Sequence, residues 1–159
     1  MYHNQEVAFD RNSYWSQAIA LQKNVLQNPR VLVVEDDPHW QWVISAALKS
    51  LNQRVVLHCV RSVKHAEQLL YQSSNYELII ADYQLEGNKN GIDFWKDCRE
   101  KNKRIPFMVV SGITENEFKK KISGVLDQKI RAPLYLSKPF KVEVFRRVIM
   151  RNFSRLEAA

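Results

Sequence analysis

Four short apolar runs in this chain end in residues that can do chemistry. Val31-Leu32-Val33-Val34 runs into Glu35-Asp36-Asp37, Leu78-Ile79-Ile80-Ala81 into Asp82, Pro106-Phe107-Met108-Val109-Val110 into Ser111, and Leu134-Tyr135-Leu136 into Ser137-Lys138. Runs this short and apolar suit strands buried on both faces of a parallel sheet. The carboxyl edge of such a sheet is where open α/β folds bind ligands. With the first and third strands adjacent where the winding reverses, Glu35, Asp36 and Asp82 meet at one edge, and Ser111 and Lys138 end strands on the same side. Three clustered carboxylates raise one another's proton affinity unless a hard cation joins them. Mg²⁺, bound through oxygen ligands and water, suits the cluster better than Zn²⁺, because no Cys lies in these turns and His39 falls past the turn. A carboxylate nucleophile, Mg²⁺, a hydroxyl and a lysine together make a phosphoryl-transfer site. Asp82 can attack phosphorus, Mg²⁺ and Lys138 can neutralise the equatorial oxygens, and Ser111 can donate a hydrogen bond to one of them.

The elements that must position these residues alternate between strand and helix. After the first run, Pro38 suits a helix start, and Trp42, Val43, Ala46, Ala47 and Leu51 follow with helical spacing. Arg54 to Val60 is rich in β-branched residues, and Ser62 can cap a helix carrying Val63, Ala66, Leu69 and Leu70. A polar loop from Glu86 to Gly91 follows Asp82 and leads into a helix from about Ile92 to Lys101. Thr114 can cap a charged helix to about Ser123 with Gly124 as its stop, and Lys141 to about Leu156 reads as a closing helix. Five strand–helix units predict an α/β fold, a doubly wound parallel sheet of five strands with helices on both faces.

Residues 1–29 read as a helical extension to a domain spanning 30–159. Asn12 or Ser13 can cap a helix with Tyr14, Ala18, Leu21 and Val25 on one face, widened by Trp15, Ile19 and Leu26 and ended by Pro29. Such a stripe must be covered, either by its own domain or by a second copy of the chain.

Composition narrows the class. At 159 residues with 45% hydrophobic content, the chain can bury a sizeable core. No apolar run reaches membrane-spanning length, and the N-terminus lacks a signal peptide's basic start and apolar body, so a cytoplasmic protein is expected. Cys59 and Cys98 fit neither a metal cluster nor a disulfide framework and are expected as reduced core or near-core thiols. The four histidines share no spacing and receive no role. The net charge of +7 is concentrated late: residues 99–131 hold nine Lys or Arg against four Asp or Glu. Solvated helix faces explain that excess more simply than a dedicated anion-binding patch, which makes nucleic acid an unexpected partner for this chain alone.

Taken together, Val33-Val34-Glu35-Asp36-Asp37-Pro38, Ile80-Ala81-Asp82-Tyr83, Val110-Ser111-Gly112 and Tyr135-Leu136-Ser137-Lys138-Pro139-Phe140 resemble the receiver domains of two-component response regulators. The resemblance covers about residues 30 to 156. It implies a flavodoxin-like sheet of order 2-1-3-4-5 and phosphorylation of Asp82 by a sensor histidine kinase or a histidine phosphotransfer protein. It further implies Mg²⁺ held by Asp36, Asp82 and the backbone carbonyl of Gln84, with Glu35 acting through water. Ser111 would move toward the phosphate and Tyr135 would change rotamer, reshaping the face formed by the fourth helix, fifth strand and fifth helix. Pro139 would follow a cis peptide bond, and Gln84 and Ile113 would govern water access and therefore phosphate lifetime.

Two departures from the family pattern stand out. The loop after Asp82 lacks the usual proline and is longer, ending at Gly91. The interval from Ser111 to Lys138 is also long and lacks a Gly-Ala turn before the last strand, so the fourth helix is longer, displaced or followed by an added loop. Too few residues follow the closing helix for a DNA-binding fold, which points to a single-domain regulator acting on a downstream protein, with a homodimer as one outcome. The alternative is the receiver portion of a larger DNA-binding transcription regulator or a regulated enzyme. A Mg²⁺-dependent phosphatase would want an acid where Gln84 stands.

Overall fold

A computed structural model of the chain describes residues 28–73, 75–101, 104–125 and 132–153. The expected N-terminal helix and residues 126–131 of the long late interval lie outside the described residues.

Five strands form one parallel sheet: β1 (Arg30–Val34), β2 (Val56–Val60), β3 (Leu78–Ala81), β4 (Phe107–Ser111) and β5 (Leu134–Ser137). Their spatial order is β2-β1-β3-β4-β5, so β1 and β3 are neighbours at the reversal, as the strand-end chemistry requires. The helices are α1 (Pro38–Leu51), α2 (Val63–Gln72), α3 (Gly91–Glu100), α4 (Glu115–Ser123) and α5 (Val142–Asn152).

The period of two along each central strand divides the core into two layers. Leu32, Val34, Ile79, Ala81, Phe107 and Val109 pack under α2, α3 and α4. Val31, Val33, Leu78, Ile80, Met108 and Val110 pack under α1 and α5, which supply Ile44, Leu48, Phe145 and Ile149. Both layers are apolar and buried, so β1, β3 and β4 are held in one register, and a shift by one residue would swap every side chain between layers.

Local signals set the helix ends. The Asp37 side chain accepts from the His39 N–H and Pro38 opens α1. Ser62 caps α2, and Thr114 with Glu117 forms a capping box on α4. A second capping box, Asn90 with Asp93, starts α3 at Gly91, one residue before the expected start.

Four expectations need correction. The buried stripe of α1 is Ile44, Ala47 and Leu48, and Trp42 points outward at 68% exposure. Strand β2 begins at Val56, because Asn52 turns the preceding chain by accepting from the Arg54 N–H at 2.9 Å. Cys98 is buried, but Cys59 is exposed, because β2 is an edge strand; its Sγ lies 3.5 Å from Ser45 Oγ. Helix α5 ends at Asn152, where Phe153 leaves helical geometry and turns its ring into the core.

Gly91 marks the closest approach of the loop after β3. A Cβ there would lie 3.0 Å from the Asp82 carbonyl carbon and would overlap the oxygen, whereas a Cβ at Gly112 meets nothing within 4 Å. Replacing Gly91 with Ala should therefore cost about 1–3 kcal/mol of stability by overpacking against backbone. Gly112→Ala should stay within about 0.5 kcal/mol. Urea unfolding of the two variants checks the contrast, and equal costs would contradict it.

Candidate functional site

The turns after β1, β3 and β5 bring three charged side chains into contact. The Lys138 ammonium donates to Glu35 Oε2 and to Asp82 Oδ2, each at 2.7 Å. All three are largely withdrawn from water, with side-chain exposures of 8% for Lys138, 2% for Glu35 and 11% for Asp82. Backbone bonds hold the strand ends that carry them. The Asp82 N–H donates to the Val34 carbonyl at 2.9 Å, the Glu35 N–H to the Val60 carbonyl at 2.9 Å, and the Lys138 N–H to the Ser111 carbonyl at 2.6 Å. The Lys138–Pro139 peptide bond is cis, as the resemblance implied.

Each carboxylate has further partners. The Gln84 N–H donates to Asp82 Oδ1 at 3.1 Å and the Asp37 N–H to Glu35 Oε1 at 3.3 Å. Burial raises the Glu35 pKa above the usual carboxylate range and Asp82 adds to the rise, while the bond and charge of Lys138 oppose it. Asp36 is half-buried beside them, and single oxygens of Glu35, Asp36 and Asp82 all lie within 4.8 Å of one another. One ammonium against three carboxylates leaves the cluster acidic. An all-oxygen donor set with that residual charge fits a hard divalent cation such as Mg²⁺.

Ser111 and Tyr135 stand beside this cluster rather than in its bonded network. Ser111 is fully buried at the end of β4, and its hydroxyl finds no hydrogen-bond partner among the described residues. A buried hydroxyl without a partner is costly. The Tyr135 hydroxyl donates to the Ile113 carbonyl and stands 3.4 Å from the Ser111 carbonyl, while its ring stacks on Phe118 of α4 at 4.3 Å. Burial and the carboxylates of Glu117, Asp82 and Glu115 raise its pKa, which keeps that donor protonated. Ile113 is half-buried and packs on the same core layer as Tyr135, whereas the Gln84 side chain faces solvent.

A family model for the response regulator receiver domain matches residues 31–150. The chain belongs to that family. No curated protein matches it, but many solved structures share its fold. The receiver domain of a Francisella response regulator is 23% identical with a TM-score of 0.63, and the match covers 82% of this chain and all of that one. A chemotaxis protein of Vibrio cholerae is 21% identical with a TM-score of 0.64, covering 77% of this chain and 97% of the other. A receiver domain from a sensor histidine kinase of Pseudomonas aeruginosa is 24% identical with a TM-score of 0.64, covering 80% and 98%, and that structure has a magnesium ion coordinated in its active-site cleft. Identities this low establish the shared fold. Receiver domains serve as phosphoacceptor switches rather than enzymes, work with histidine kinases or phosphotransfer proteins and with downstream partners, and bind Mg²⁺ in an acidic site. Among the described residues of this receiver, no helix is long and apolar enough to cross a membrane.

Two side chains that contact the site escape sequence reasoning. Gln41 Nε2 donates to the Glu35 backbone carbonyl at 2.6 Å, bracing the acidic turn from within α1. Trp40 lies under the Lys138 ammonium, 5.0 Å from ring centre to Nζ. The only available signal was their position in the first two turns after Asp36, which places them near the sheet edge without saying what they touch.

The raised Glu35 pKa has a defined consequence for stability. Above the ordinary carboxylate value of 4.5, the folded receiver keeps a Glu35 proton that the unfolded chain has already lost. The stability tied to Glu35 is then present below 4.5 and falls as pH rises through the folded pKa. Relative to wild type, Glu35→Gln should gain stability over that window, as measured by urea unfolding at stepped pH without divalent cations. A difference that is flat, or that moves toward wild type with rising pH, would contradict burial as the leading cause.

Proposed function

We propose that this receiver accepts a phosphoryl group on Asp82 from the phosphohistidine of a sensor histidine kinase or a histidine phosphotransfer protein, in a Mg²⁺-dependent reaction. The single observation that carries this reading is the buried contact of Lys138 with both Asp82 and Glu35 at the sheet edge. An ammonium placed on the nucleophile's own carboxylate already stands where negative charge will gather.

In the transfer, an Asp82 oxygen forms a bond to phosphorus, the P–N bond of the donor breaks, and the imidazole leaves with the electron pair and takes up a proton. The Gln84 N–H orients Asp82 through Oδ1, and Lys138 follows the charge from Oδ2 to the phosphoryl oxygens. Asp36, Asp82 and the Gln84 backbone carbonyl would hold Mg²⁺, with Glu35 acting through water. Bound there, Mg²⁺ would neutralise phosphoryl oxygens and help to align the donor. The Ser111 hydroxyl, without a hydrogen-bond partner among the described residues, supplies a further donor to the phosphoryl group. Its movement would disturb the carbonyls that Tyr135 contacts and so alter the face built by α4, β5 and α5.

Output then runs through protein–protein contacts, as a single-domain regulator in the cytoplasm. Helix α5 presents Val142, Val144 and Met150 to solvent, which supplies apolar area for a downstream partner. The division into an extension at 1–29 and a receiver at 30–159 belongs to the same proposal. Arg146, Arg147 and Arg151 are exposed on α5 and have no carboxylate within ion-pair distance among the described residues. That observation favours, as a second reading, the receiver portion of a larger DNA-binding regulator.

Incubation with acetyl phosphate and Mg²⁺ tests the site. Intact mass should show one added phosphoryl group on wild type and none on Asp82→Asn; an unmodified wild type would overturn the proposal. Ile113, half-buried and apolar, should slow water's approach to the acyl phosphate. The phosphorylated form should therefore outlast removal of the donor, and Ile113→Glu should lose phosphate faster. Loss within seconds from wild type would contradict that role.

A further inference from the structure

The Lys138 ammonium has three N–H bonds to place. Glu35 and Asp82 accept two of them, and among the described residues no third oxygen is recorded as an acceptor. The ammonium also lies over the face of Trp40, with Nζ 5.0 Å from the ring centre. This is cation–π distance, and the attraction grows when the cation is shielded from water, as Lys138 is.

The position of the ring is set by its helix and by a neighbouring aromatic side chain. Trp40 belongs to the first turn of α1, the turn begun by Pro38 and capped by Asp37, so its backbone is set by the same segment that presents Glu35 and Asp36. The Trp40 ring also meets the Phe140 ring at 5.3 Å, and Phe140 stacks at 5.4 Å on Phe145, which is fully buried in α5. Trp40 therefore touches both the lysine and a ring packed against the core.

We propose that Trp40 is a positioning residue for phosphoryl acceptance: its π face holds the Lys138 ammonium over the carboxylate pair in the place a third acceptor would take. This rests on the assignment of Asp82 as phosphoacceptor. An aromatic face suits the task better than a third oxygen would. It adds no formal charge to an already acidic cluster, and its attraction is broad, so the ammonium can shift from Asp82 toward phosphoryl oxygens without leaving the ring. With a smaller aliphatic residue at this position, Lys138 would be open to water and to other rotamers, and transition-state charge would meet a less ordered cation.

Two variants and two readouts test this. In wild type without metal or phosphodonor, the Lys138 Hε protons should resonate upfield of ordinary lysines because of the Trp40 ring current, and Trp40→Leu should abolish the shift. With acetyl phosphate and Mg²⁺, Trp40→Leu should be phosphorylated about tenfold more slowly, while Trp40→Phe, which keeps a π face, should stay within about threefold of wild type. Ordinary Lys138 shifts in wild type would overturn the proposal whatever the phosphorylation result. Wild-type rates in Trp40→Leu, or equal slowing in Leu and Phe variants, would overturn the positioning role. A ring-shifted Lys138 in a wild type that acquires no phosphate would instead overturn the phosphoacceptor reading, and the role with it.

Discussion

One buried ammonium closes this sheet at its carboxyl edge. Lys138, from the turn after β5, reaches Glu35 after β1 and Asp82 after β3, thereby tying together three strand ends that are distant in the chain. Charges so shielded from water are tolerated only when paired, and removing one partner would leave the others uncompensated. That constraint accounts for much of the surrounding structure. The Gln84 and Asp37 N–H groups take up remaining carboxylate lone pairs, Gly91 lets the loop pass against the Asp82 carbonyl, and Ser111 holds the Lys138 backbone.

The same constraint separates what could be read in the sequence from what could not. Asp82, Glu35, Asp36 and Lys138 were legible because each stands at or just beyond the end of a short apolar run, at the edge where such sheets bind ligands. Helix caps at Ser62 and Thr114 were legible because the interaction is local. Trp42 was misplaced because helical spacing alone cannot tell the stripe that meets the sheet from its neighbour, and the structure buries Ile44 and Leu48 instead. Cys59 was misplaced because an apolar strand reads alike whether it is central or at the edge. The contact of Trp40 with Lys138 depends on strand order and on the path after β5, and no local pattern encodes it.

The sheet's two layers also divide the work. On the α1 and α5 side, Trp40, Phe140 and Phe145 run from the lysine into the core. On the α2, α3 and α4 side, Tyr135 stacks on Phe118 and reaches the carbonyls of Ser111 and Ile113. A charge added at Asp82 would thus be felt by aromatic groups on both faces, one set leading to α5 and the other to α4. Among the described residues, Lys119, Lys120 and Lys121 on α4 and Arg146, Arg147 and Arg151 on α5 face solvent beside those endpoints.

The central claim is that Asp82, one of the two carboxylates joined to Lys138, is the one that takes the phosphoryl group. Borohydride reduction of the acetyl phosphate-treated chain converts an acyl phosphate into a stable alcohol, and peptide mass spectrometry then locates the residue that carried it. The account predicts homoserine at position 82 alone. Reduction at Asp36, Asp37 or any other carboxylate in place of Asp82 would contradict it.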